Sequence, residues 1–318
     1  MTGARFVDRL RDRAAPGGED GLARPDWETD GRDWPNRDAS RFVRAAGLRW
    51  HVQVAGSGPV LLLLHGTGAA THSWARLLPL LAARFTVVAP DLPGHGFTAM
   101  PLAAQMSLPA MAKAVAGLLA ALELAPEVAV GHSAGAAILC RMCLDGRAAP
   151  RALVSLNGAL LPFRGLPGHL FSPMAKFAAS TSVLPRLFAW HAGTDRAMIE
   201  RLIRDTGSTI GGVELEMYRR LARRPGHVAA ALAMMAHWDL HGLVRDLPRL
   251  QPPLTLVVGA RDRAVRPSEA RRVRELVSGA RIVGLPGLGH LAHEERPDEV
   301  AALIIELSAN AAPMPATP

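Results

Sequence analysis

The stretch Glu127-Val128-Ala129-Val130-Gly131-His132-Ser133-Ala134-Gly135 constrains this chain more than any other. Its apolar run is short and β-branched, as in a strand, and an Ala/Ile/Leu-rich helical pattern follows at once. Strand, sharp turn and helix therefore meet here, with a serine at the apex and glycine two places to either side. So tight a turn crowds the backbone, and the flanking positions cannot carry a bulky side chain. Its product is a hydroxyl held clear of a sheet at a helix N-terminus, where negative charge is tolerated. The pattern Gly-x-Ser-x-Gly recurs by chance; between an apolar strand and a helix it is specific.

The chain around it alternates strands and helices. Phe42 to Val54 reads as a hairpin turning at Ala46-Gly47. Val60 to Leu64 is an unbroken apolar run, the pattern of a strand buried on both faces, and leads into His65-Gly66-Thr67-Gly68. A helix is predicted from an N-cap at Ser73 to Ala83, kinked at Pro79. Strand Phe85 to Ala89, the turn Asp91-Leu92-Pro93-Gly94-His95-Gly96 and a helix over Leu108 to Leu124 come before the serine turn. Strand Ala152 to Leu156 comes after it. The pattern resumes with strand Leu254 to Val258, a helix over Pro267 to Leu276, strand Arg281 to Leu285 and a helix from Pro297 to Leu307. Such units predict an α/β fold, a mostly parallel twisted sheet with helices on both faces.

From 160 to 240 the alternation stops and the sequence reads as wholly helical. Inserted between two strand–helix units, this segment is expected to form a cap over the C-terminal edge of the sheet, where ligands bind in open α/β sheets. The expected organisation is an arm over 1–38, a core over 39–159 and 241–310, the cap over 160–240 and a flexible tail over 311–318. The arm is read as loosely ordered and tacked to the core by Trp27 and Trp34.

Composition narrows the function. The formal charge is +8, but the base is almost all arginine, spread along the chain without a dense run among aromatics. That argues against a nucleic-acid partner and leaves weak attraction to an anionic membrane surface open. The longest apolar run, Val228 to Ala236, is too short to span a bilayer, and the Arg-rich N-terminus carries no signal-peptide pattern. Two cysteines make no disulfide framework, and a reducing cytoplasm is expected. Cys140 and Cys143 have a redox spacing but fall well inside a predicted helix, where no helix N-terminus lowers their pKa. They are read as buried small residues.

A serine hydroxyl needs a base to act as a nucleophile at neutral pH. Of the twelve histidines, His290 has the best context, on a loop directly after the last predicted strand and preceded by glycine. The base needs a carboxylate to fix its tautomer, and Asp262 follows strand Leu254 to Val258 in Gly259-Ala260-Arg261-Asp262. The preceding strand ends in Asn157-Gly158 and offers no acid. The N–H groups of Thr67 and Ala134 are the expected oxyanion donors. No cofactor is called for, and no metal site is read from the sequence. His65 and His95 are expected to brace their turns, and His293, Glu294 and Glu295 to form a solvated helix start. The large cap side chains are expected mainly to fill the cap. A substrate pocket is expected to draw on His132 and Trp74 from the core and on Phe171, Met174, Trp190, Met235 and Trp238 from the cap.

His65-Gly66-Thr67-Gly68, Asp91-x-Pro93-Gly94-x-Gly96, Gly131-His132-Ser133-Ala134-Gly135, Gly259-x-x-Asp262 and Gly289-His290 together resemble the α/β-hydrolase superfamily. They occur in its chain order, serine, acid, histidine. Trp34-Pro35-Asn36-Arg37, Ser40-Arg41-Phe42-Val43, the stretch Ser155 to Phe163, and Pro225-Gly226-His227-Val228-Ala229 are similar to the BchO-type magnesium-chelatase accessory proteins of bacteriochlorophyll biosynthesis. That resemblance implies a tetrapyrrole pathway with magnesium-chelatase subunits as candidate partners and a place near the photosynthetic membrane, and it fixes neither reaction nor substrate. The aromatic and methionine side chains of the cap suit an apolar substrate, with a porphyrin as one candidate. The resemblance leaves open a non-catalytic binding role on a hydrolase fold. It also leaves open perhydrolysis or C–C bond hydrolysis by the same three residues. Neither lysine, Lys113 or Lys176, lies in a Gly-x-x-x-x-Gly-Lys-Ser/Thr loop, so the chain is not the ATP-driven motor.

Overall fold

The structure is a computed structural model that describes residues 21–162 and 181–311. Eight strands form one sheet: β1 (Ser40–Ala45), β2 (Leu48–Ala55), β3 (Val60–Leu64), β4 (Thr86–Pro90), β5 (Val128–His132), β6 (Ala152–Leu156), β7 (Leu254–Gly259) and β8 (Arg281–Leu285). Their order is β1-β2-β4-β3-β5-β6-β7-β8. β2 runs antiparallel to β1 and β4, and all other pairs are parallel. The first hairpin turns through Ala46 and Gly47, both at positive φ.

β3 explains the apolar runs. Leu62 and Leu64 enter one core, with Val88 of β4, Ala129 of β5 and the helices α2 (Leu108–Ala121) and α3 (Ala134–Leu144). Leu61 and Leu63 enter the other, against α1 (Leu77–Ala82) and a C-terminal helix over Pro297–Ala309. Period-two alternation thus sends successive leucines to opposite layers, and all four are fully buried. Pro79 sits in the first turn of α1, where it breaks no intrahelical bond.

Between β6 and β7 the described residues form α4 (Val183–Thr194), α5 (Arg196–Asp205), α6 (Gly212–Ala222), α7 (Pro225–Ala236) and α8 (His241–Asp246). α5 starts on Asp195, whose carboxylate accepts the Ala197 N–H at 2.9 Å, and buries Ile199 and Ile203 one turn apart. α9 (Pro267–Leu276) precedes β8; α10 (Ala292–Glu295) and α11 (Pro297–Ala309) close the fold. The indole N–H of buried Trp34 donates to Thr71 Oγ1 at 2.9 Å, and Trp27 packs edge-on against Phe42 and Phe97.

The strand register brings the functional ends together. Leu64 pairs with Gly131, His132 with Leu156, Leu156 with Val257, and Gly259 with Leu285. The loops after β3, β5, β6, β7 and β8 therefore emerge along one edge, with the topological switch between β3 and β5.

Candidate active site

Ser133 follows β5 and occupies the N-cap position of α3 at φ 51°, ψ −116°, a conformation that costs a non-glycine residue on the order of 1–3 kcal/mol. The flanking glycines permit it. A Cβ on Gly131 would lie 2.4 Å from Ala136 N, and one on Gly135 would lie 2.2 Å from Leu64 O. The loop after β3 lies directly over the serine, since a Cβ on Gly66 would come within 2.9 Å of Ser133 Cβ. Ala134 is the first residue of α3, so its N–H has no intrahelical partner. Thr67 N–H has no backbone acceptor among the described residues, and Thr67 Oγ1 donates to Met234 Sδ of α7 at 3.4 Å.

The loops after β7 and β8 bring Asp262 and His290 together. His290 Nδ1 donates to Asp262 Oδ2 at 2.8 Å, which leaves Nε2 as the basic nitrogen. Asp262 Oδ1 accepts the N–H groups of Ala264 and Val265, both at 2.8 Å, so both carboxylate oxygens are occupied. No hydrogen bond joins Ser133 Oγ to the His290 ring among the described residues. The two are tied through Ser133's neighbour. His132 Nε2 donates to His290 O at 3.0 Å, and the two rings lie 4.7 Å apart.

Asn157, following β6, was legible in sequence only as the absence of an acid. It is buried at φ 47°, a region that asparagine tolerates better than most residues. Its Oδ1 accepts Gly259 N–H at 2.7 Å, and its Nδ2 donates to Gly289 O at 2.8 Å and His290 O at 2.7 Å. One amide side chain thus joins the acid loop to the base loop, and His290 O has two donors.

The expected solvated helix start is corrected. His293 and Glu294 are 1% and 5% exposed. Ser73 is corrected with them, because it does not cap a helix: its hydroxyl donates to Glu294 Oε1 at 2.6 Å and meets His293 Nε2 at 2.8 Å. Tyr218 of α6 donates to the same carboxylate oxygen at 2.7 Å. Burial pushes the Glu294 carboxyl up to about 8 and His293 down to about 3, so both are neutral at pH 7. Glu295 is the partner that the base loop uses, its Oε1 accepting Gly289 N–H at 2.8 Å.

His65 braces its turn: Nδ1 donates to Gly66 O at 2.8 Å and Nε2 accepts Leu92 N–H at 2.9 Å. His227 of α7 accepts Gly96 N–H and donates to Gly68 O, linking α7 to the turns after β3 and β4. Burial raises the thiols of both Cys140 and Cys143, the latter to about 12, which leaves no reactive pair.

The pocket expectations divide. Trp74 is fully buried against the His293 ring at 4.6 Å and packs inside the core, and His132 is spent on the base loop. Trp190 of α4 and Met235 of α7 are 65% and 38% exposed. Trp238 packs on the main core, and Phe171 and Met174 lie outside the described residues.

A mostly parallel eight-stranded sheet carrying a serine turn after β5 and an Asp–His pair after β7 and β8 has the architecture of the α/β hydrolases. Residues 61–303 match the α/β hydrolase family, and the chain belongs to it. The chain is 37% identical over 279 residues to the magnesium-chelatase 30 kDa subunit of Rhodobacter capsulatus, covering 86% of this chain and 96% of that one. The resemblance to BchO-type proteins thus extends over most of the sequence. It is also 32% identical over 278 residues to a pimeloyl-acyl-carrier-protein methyl ester esterase of Methylococcus capsulatus, covering 81% and 98%. An α/β hydrolase fold protein from Burkholderia ambifaria superposes with a TM-score of 0.70 at 23% identity, over 83% of this chain and 96% of that one. Among the described residues no helix is long and apolar enough to cross a membrane.

Proposed function

We propose that this chain is a cofactor-independent serine hydrolase acting on an apolar, ester-like substrate in the tetrapyrrole pathway served by magnesium chelatase. The observation that carries the reading is the 2.8 Å His290–Asp262 pair beside a serine held at positive φ. Ser133 Oγ attacks the acyl carbon while His290 Nε2 takes its proton. Thr67 and Ala134 N–H groups stabilise the oxyanion, each worth roughly 3–4 kcal/mol in such sites. The tetrahedral intermediate collapses, and His290 returns the proton to the leaving alcohol. Water, deprotonated by the same nitrogen, then releases the acid and frees the serine. Asp262 holds the tautomer and stabilises the imidazolium throughout. The pathway assignment is supported by the similarity to a magnesium-chelatase subunit, whose partner subunits are candidate partners here.

A second reading has its own support. The chelatase-subunit relative favours a non-catalytic accessory that binds a porphyrin or the chelatase in the cleft. A fluorophosphonate probe separates the two. Hydrolase chemistry predicts stoichiometric labelling at Ser133, abolished in His290→Ala; a folded protein that stays unlabelled favours the binding role. Normal pigment synthesis in cells carrying Ser133→Ala would favour it too.

A further inference from the structure

The Asp262–His290 pair is gripped from the cap as well as from the sheet. The turn Thr206-Gly207-Ser208, which ends α5, enters between the two catalytic loops. Arg263 N–H, one residue past Asp262, donates to Thr206 O at 2.9 Å. Leu291 N–H, one residue past His290, donates to Ser208 Oγ at 2.7 Å, and Ser208 is 1% exposed. The approach leaves no room for side chains. Gly207 has φ +88°, and a Cβ there would lie 1.9 Å from Arg261 O. A Cβ on Gly289 would lie 2.3 Å from the Gly207 carbonyl. Thr209 N–H reaches Glu295 Oε2 at 3.4 Å, and the other oxygen of Glu295 holds Gly289 N–H.

A buried amide must find an acceptor, and for the residue after His290 that acceptor is a cap hydroxyl. We propose that Ser208 is a positioning residue: it fixes the base-loop backbone at Leu291 and so sets the orientation of the His290 ring toward Asp262. The catalytic pair is then the joint product of core and cap, and the cap cannot lift at this corner without loosening the base. The inference rests on the hydrolase reading for its consequence in activity, but the geometry it describes can be read independently.

The test uses the full chain with ¹⁵N-labelled histidine, comparing wild type with Ser208→Ala, Ser208→Cys (similar volume, weak acceptor) and Ser208→Thr (hydroxyl kept). NMR measures solvent exchange of the His290 Nδ1 proton, fluorophosphonate labelling reads the activity of Ser133, and thermal unfolding monitors the fold. Exchange should rise about tenfold in Ser208→Ala and Ser208→Cys, as expected for loss of one buried hydrogen bond, and be restored in Ser208→Thr. Labelling should slow by about 10- to 100-fold in the same two variants, the usual cost of a small misplacement. A purely structural serine would lower the unfolding temperature yet leave exchange and labelling in the folded protein at wild-type values; that result overturns the proposal. If Ser208→Ala does not fold, Ser208→Cys carries the comparison. A wild type that never labels removes the hydrolase reading, while Nδ1 exchange in the variants still decides the role of Ser208.

Discussion

At the residue scale, Asp262 is held by its near neighbours Ala264 and Val265 as well as by His290, and the backbone of His290 by His132 and Asn157 far along the chain. Asp262→Asn keeps the size but offers the wrong donor to His290 Nδ1, and should lower kcat by about 10⁴ with KM little changed in an ester assay. Asn157→Ala should take the partner from Gly259 N–H and from Gly289 O, while His290 O keeps His132 Nε2, and cost about 1–3 kcal/mol for each group that stays dry, measured by urea unfolding. Glu294 predicts a pH effect. Its folded pKa is raised from 4.5 to about 8, so its contribution to stability is complete below about 4.5 and is lost as pH rises through 8. Glu294→Gln, which stays neutral, should flatten that loss: its melting temperature relative to wild type should rise between pH 5 and 9. A constant difference across that range would contradict a buried, protonated carboxyl. The three candidate residues could be picked out in the sequence because each stands beside a strand end with glycine near. Asn157, Ser208 and Glu294 could not, because their roles lie in contacts across 76 to 221 residues of chain that no local pattern encodes.

At the element scale the strands read well, because burial on both faces leaves an unbroken apolar run. β3 and β6 occupy the expected residues, and β4 is displaced by one. Helix starts read less well. Ser73 has the chemistry of an N-cap, but its hydroxyl is drawn to a buried carboxyl that sequence placed in solvent. Trp190 has the size of a core residue, yet α4 turns it outward. Because Leu63 is fully buried against Trp74 and the α1 leucines, Leu63→Ala should cost about 2–5 kcal/mol by denaturant unfolding, with the lower end marking a layer that collapses into the space.

At the scale of the whole molecule, one sheet edge gathers five loops, and the helical segment between β6 and β7 bonds to Leu291, Glu294 and Gly68 through Ser208, Tyr218 and His227. The parallel order was readable from strand–helix alternation. The Ser208–Leu291 contact was not, since a run of helices specifies no docking geometry. The proposed hydrolysis requires Ser133 to become acylated. Pre-steady-state mixing with a short-chain p-nitrophenyl ester measures this directly: a burst of one nitrophenolate per chain, absent in Ser133→Ala, with the acyl mass on the peptide containing Ser133. A folded protein that gives no burst, or an acyl group carried on another residue, would contradict it.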